Sequence, residues 1–117
     1  MTMLERDLKP DWLNDLAEDA VLTSTVSKHP VIGRENIIRA VQAAGRAYIS
    51  QQHGYEAQID NRVLAEYDAL LPGNVPIHGV VTITLTDDGR VSHVGVYHSP
   101  LEGVLLLAKL LGEAGAV

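Results

Sequence analysis

Cysteine is absent from the 117 residues. That removes disulfides, thiolate catalysis and zinc–sulfur sites. Phenylalanine is absent too, and there is a single tryptophan, so any core must be built from Leu, Val, Ile and Ala. Cations are few: nine Lys and Arg stand against fifteen Asp and Glu, for a formal net charge of −6. They are scattered and leave no basic footprint for nucleic acid. No apolar run approaches the roughly 20 residues that span a bilayer. The amino-terminal MTMLERDLKPDW alternates charge with Leu and lacks the apolar centre of a signal peptide. The expectation is a cytoplasmic protein that engages neither nucleic acid nor membrane.

What is present is 46% hydrophobic residues, in a chain long enough for one domain, 1–117, with a sizeable core. Asp11 caps a short helix to about Glu18, with Trp12, Leu13 and Leu16 on one face. Residues 20–27 alternate and are β-branched, which predicts a strand broken by Lys28-His29-Pro30. A second helix is expected over 34–49, where Ile37, Ile38, Val41, Ala44, Gly45, Tyr48 and Ile49 recur at helical spacing. Strands follow at 55–60, 62–71, 75–86 and 90–98. A last helix runs from Pro100 or Leu101 to about Gly112, with Pro and Gly at the ends that suit them. The order α-β-α-β-β-β-β-α packs economically as one curved antiparallel sheet with helices on one face, an α+β fold.

The stretch 79–99, GVVTITLTDDGRVSHVGVYHS, carries the most information. A two-residue type I′ turn at Asp88-Gly89 pairs Thr84 with His93, Val81 with Val96 and Gly79 with His98. Alternation then gathers Ile77, Gly79, Val81, Ile83, Leu85, Val94, Val96 and His98 on the core face. The preceding loop leaves two registers open. A three-residue Pro72-Gly73-Asn74 loop pairs Tyr67 with Gly79 and turns Tyr67 inward. A two-residue loop turns Glu66 and Asp68 inward instead. The first is favoured, because unpaired buried carboxylates cost several kcal/mol.

Four segments, WLNDLAEDAVLTSTV, PVIGRENIIRAV, RVLAEYDALL and DDGRVSHVGVYHSP, together resemble the nuclear transport factor 2-like superfamily, in particular its small bacterial SnoaL-like members. The resemblance runs from about Asp11 to Gly112. It implies a cone-like curved sheet wrapped around a long helix, with a pocket inside. The family includes ketosteroid isomerases, limonene epoxide hydrolases, polyketide cyclases, dehydratases and non-enzymatic binding domains. Carried over residue by residue, the isomerase general base falls at Ser24 and its oxyanion acid near Val81. The epoxide hydrolase aspartate falls at Val96. None of the three is acidic here, and a serine cannot take that proton unaided. The departures argue against both chemistries.

The candidate site is therefore an apolar pocket with few polar groups. His98 is the candidate acid/base, with a pKa ordinarily near neutrality. Tyr67 and Tyr48 are candidate hydrogen-bonding ligands, Ser24 a donor, Trp12 a lid, and Val81 and Val96 apolar wall. His29 and His53 fall in loops, while His78 and His93 share the outer face some 20 Å apart at ~3.3 Å per residue. No metal and no cofactor are expected. The last helix is apolar on more than one face, so its second face should meet a partner or cover the pocket mouth. The mixed outer sheet face suits a homodimer. The leading expectation is binding of a small hydrophobic molecule. The alternatives are an isomerase, cyclase or lyase acting on a polyketide- or steroid-like substrate through His98, and a structural or partner-binding dimeric module.

Overall fold

A computed structural model describes residues 11–115. The reading of the amino-terminal segment up to residue 10 lies outside the described residues. A single 3-10 turn, Asp11–Asp15, leads into strand β1, Leu16–Ser24. The expected helix to Glu18 is thus one turn only, and the strand starts and ends earlier than the alternation suggested. Leu13 and Leu16 are buried, as their spacing predicted. The pull toward the sheet comes from Leu16, which is already paired with Val91. Ala17 to Ala20 then bulge before pairing resumes at Val21 with His93.

A two-residue strand β2, Val31–Ile32, was not expected. It folds back antiparallel on Val21 and Leu22. Helix α1, Arg34–Ala47, follows. Arg34 Nε donates to the Leu16 carbonyl at 3.0 Å, tying the helix start to β1. Ile37, Ala40 and Ala43 supply its buried stripe. The helix stops two residues short of the expected end because Tyr48 is extended and the Ile49 N–H donates to the Leu70 carbonyl at 2.8 Å. Strand β3, Ser50–Ile59, is therefore longer than the expected 55–60 and carries a bulge between His53 and Glu56. Asp60, with φ 55, helps turn it into β4, Arg62–Leu71.

Strand β5, Val75–Leu85, joins β4 through Pro72-Gly73-Asn74, with positive φ at Gly73 and Asn74. Leu71 pairs with Val75 and Tyr67 with Gly79, which is the three-residue register. Strand β6, Val91–Ser99, keeps the expected pairs from Thr84–His93 to Gly79–His98. The turn itself differs from a type I′ turn: positive φ is confined to Gly89. Gly89 N–H donates to the Thr86 carbonyl at 3.0 Å, and Thr86 N–H to the Arg90 carbonyl at 2.7 Å. The Thr86 hydroxyl also bonds the Asp88 carboxylate, which lowers the Asp88 pKa. This longer loop would slip the register by one, but a bulge between Thr84 and Leu85 absorbs the slip.

Helix α2, Leu101–Glu113, closes the chain. The six strands order as β2-β1-β6-β5-β4-β3. The β1–β6 pair is parallel, so the curved sheet is mixed rather than wholly antiparallel. Two apolar clusters pack on its inner face. Ile37 of α1 meets Leu22, Val81, Ile83 and Val94 in the first. Leu107 and Leu111 of α2 meet Ala43, Ala69, Leu71 and Ile77 in the second. Among the described residues no helix is long and apolar enough to cross a membrane.

Candidate functional site

A cavity of about 140 Å³ lies between the inner face of the sheet and the two helices. Two cross-strand rows form much of its wall. The first runs Ala65, Val81, Val96, Ser24 across β4, β5, β6 and β1. The three positions onto which the sequence resemblance carries acids, Ser24, Val81 and Val96, are thus neighbours on the cavity wall, and all three are uncharged. The Ser24 hydroxyl oxygen accepts the Val26 N–H at 3.3 Å, which commits a lone pair and leaves its proton to donate.

The second row runs His53, Tyr67, Gly79, His98 across β3, β4, β5 and β6. Gly79 has to be glycine because a Cβ there would run into the Tyr67 ring, 2.7 Å from its hydroxyl oxygen. The ring lies flat over that gap and carries the phenol toward His98. Tyr67 Oη stands 3.2 Å from His98 Nε2 and 2.6 Å from Tyr48 Oη. The Tyr48 and Tyr67 rings are tilted at 55° with centroids 5.8 Å apart. The end of β6 is held in place by the His98 N–H, which donates to Thr25 Oγ1 at 3.0 Å.

Burial keeps this chain neutral. Desolvation lowers the His98 pKa from the ordinary 6.5 to about 4. It raises the Tyr67 phenol well above the usual range, and the neighbouring Tyr48 adds to that rise. Tyr48 is also raised by burial, against a smaller opposite pull from the Tyr67 hydrogen bond. Near pH 7 the three side chains are two phenols and one neutral imidazole. Among the described residues, no Asp, Glu, Lys or Arg side chain is on the cavity wall.

All seven residues singled out in the sequence, Trp12, Ser24, Tyr48, Tyr67, Val81, Val96 and His98, line this cavity. Gln51 and His53 line it too and were missed. His53, expected in a loop, sits exposed on β3 opposite Tyr67. Glu66 and Asp68 point to the outer face, where Asp68 bonds His78 at 2.8 Å and Glu66 lies 3.6 Å from it. Helix α2 buries one side through Gly103, Leu107 and Leu111, while Leu101 and Leu105 stay exposed.

No family model matches the sequence, and no curated protein matches it. Solved structures do. The chain is similar to a steroid delta-isomerase from Pseudomonas aeruginosa, 25% identical with a TM-score of 0.83, over 95% of this chain and 81% of that one. It is similar to an uncharacterized protein with a cystatin-like fold from Silicibacter pomeroyi, 18% identical with a TM-score of 0.82, over 88% and 72%. It is also similar to an NTF-2 like protein of unknown function from Burkholderia xenovorans, 22% identical with a TM-score of 0.60, over 74% and 66%. The chain has the nuclear transport factor 2-like fold.

Proposed function

We propose that the protein binds a small hydrophobic molecule in the cavity between sheet and helices. The observation that carries this reading is a preformed cavity with a mainly aliphatic wall, no Asp, Glu, Lys or Arg on it among the described residues, and a neutral hydrogen-bonding chain at Tyr48, Tyr67 and His98. Apolar pockets with a few convergent polar groups are the usual form of small-molecule sites. Native mass spectrometry on protein purified from its source tests it. A retained apolar molecule, lost when Val81 or Val96 is replaced by Asp, is the expected result. Failure to retain or take up any apolar molecule overturns it.

A second reading is an isomerase, cyclase or lyase with His98 as acid/base and Tyr67 as oxyanion donor. The Tyr67–His98 hydrogen bond supports it, as does likeness to a protein described as a steroid delta-isomerase. The uncharged Ser24, Val81 and Val96 on the wall count against the chemistry of the acidic relatives. A neutral His98 is a base only, and a weak one. Homodimerisation through the outer face is proposed as well, supported by exposed Leu64 and Tyr97. Sedimentation velocity showing only monomer at ~100 μM, well above ordinary protein–protein dissociation constants, would remove it.

A further inference from the structure

His98 Nδ1 is buried and has no hydrogen-bond partner among the described residues. Two phenols and one neutral imidazole carry three polar protons, and the contacts Tyr48–Tyr67 and Tyr67–His98 use two of them. In one arrangement Tyr48 donates to Tyr67 and Tyr67 to His98 Nε2, so Nδ1 keeps its proton as an unspent donor. In the other His98 donates through Nε2 to Tyr67, whichever way the Tyr48–Tyr67 bond points, and Nδ1 is a bare acceptor. Either way Nδ1 lacks a partner, which is costly for a buried polar atom. The rest of the wall is mainly aliphatic and, among the described residues, holds no Asp, Glu, Lys or Arg. A ligand carboxylate, phosphate or ammonium would sit there uncompensated. The volume, about 140 Å³, is close to the ~150 Å³ of an engineered cavity that takes benzene.

We propose, on the basis of the ligand-binding reading above, that the occupant is a neutral molecule of single-ring size with one hydroxyl or carbonyl oxygen, and that this oxygen meets His98 Nδ1. A hydroxyl suits both arrangements of the chain, because it donates to a bare Nδ1 and accepts from a protonated one. A carbonyl, which only accepts, suits the arrangement in which Nδ1 keeps its proton. The ring occupies the aliphatic space lined by Val81, Val96 and Leu107.

The test is calorimetric titration of the full chain at pH 7 with four probes: benzene, phenol, benzoate and a four-ring steroidal phenol. The ¹⁵N resonances of the His98 ring are followed in parallel. Phenol should bind at least as tightly as benzene, and it should move the Nδ1 resonance where benzene does not. Benzoate should bind at least a hundredfold more weakly than phenol. In His98→Leu the preference should swing toward benzene by roughly tenfold or more, since the hydroxyl then enters the cavity unpartnered. The resonance shift decides the matter even if that variant does not fold. Benzene preferred over phenol in the unaltered protein, phenol bound without a change at Nδ1, or the steroidal phenol bound in place of phenol each overturns this proposal and leaves the apolar-ligand reading standing. Binding of none of the four probes overturns both.

Discussion

His98 sits at an inner strand position because alternation from the 88–89 turn puts it there, and that much is legible in the sequence. Its neutrality is not, because the pKa falls to about 4 through burial, which only the folded chain provides. The unfolded chain binds a proton at this side chain near 6.5 and the folded chain only near 4. Unfolding is therefore favoured as the pH drops through that window, with no cost above about 7 and a full cost below about 4, amounting to roughly 3 kcal/mol. Urea unfolding at pH 7 and pH 4 should show that loss, and His98→Leu should reduce it. Parallel pH profiles for the two proteins would show that burying the ring carries no proton-linked penalty. Gly79 is the partner on which this arrangement rests. Gly79→Ala forces the Tyr67 ring aside, so we expect the Tyr67–His98 bond to break and stability to fall by about 1–3 kcal/mol. Denaturant midpoints measure the fall, and a rise of the His98 pKa toward 6.5 by NMR titration reports the opened ring.

At the level of elements, α2 offers the same substitution with opposite signs. Gly103 packs so closely on β5 that a Cβ would lie 2.7 Å from the Pro76 carbonyl and 3.0 Å from Ile77 Cβ. Gly103→Ala therefore lifts α2 from the sheet, and the loss exceeds the ~1 kcal/mol of helix propensity that alanine brings. Gly112, inside the last turn of the same helix, has nothing within 4 Å of its Cβ direction. Gly112→Ala should raise stability by up to ~1 kcal/mol. Thermal unfolding of the two variants distinguishes them by sign. The two glycines look alike in the sequence, and only the approach of β5 separates them. The same limit explains the other element-level differences. Residues 62–71 and 75–85 were legible because the turn residues between them and, in 75–85, β-branched alternation agree with the sheet they join. The start of β1, from Leu16 to Asp19, was not, because helix-like spacing of Leu13 and Leu16 competes with pairing to β6, and that partner lies some seventy residues away. His53 escaped notice for a related reason: Gly54 reads as a link until β4 is present to pair with β3 across its bulge.

Across the whole molecule, the two core clusters meet at the cavity instead of merging. Tyr67 packs against both of them, and the space beside it stays open. An unfilled volume of about 140 Å³ corresponds to roughly 3 kcal/mol of packing not realised, at ~24 cal/mol per Å³. A sequence otherwise able to bury sixteen apolar side chains could fill that space with one larger residue. Ala65 lies on the cavity wall in β4, in the row beside Val81. Ala65→Leu extends an aliphatic side chain into the void with no polar group to satisfy. We expect it to stabilise the ligand-free protein by about 1 kcal/mol, as cavity-filling changes commonly do, and to weaken binding of a single-ring ligand at least tenfold. Thermal unfolding with and without phenol reads both effects together. In the unaltered protein, ligand at a hundred times its dissociation constant should add about 2.7 kcal/mol, and in Ala65→Leu the same ligand concentration should add about 1.4 kcal/mol or less while the ligand-free midpoint rises. A variant with a higher midpoint and an undiminished ligand increment would place the binding site elsewhere. A variant with a lower midpoint would show that the cavity walls cannot accommodate the added carbons. The opposition between stability and occupancy is what a void kept open for a ligand implies, since a void without an occupant brings only its cost.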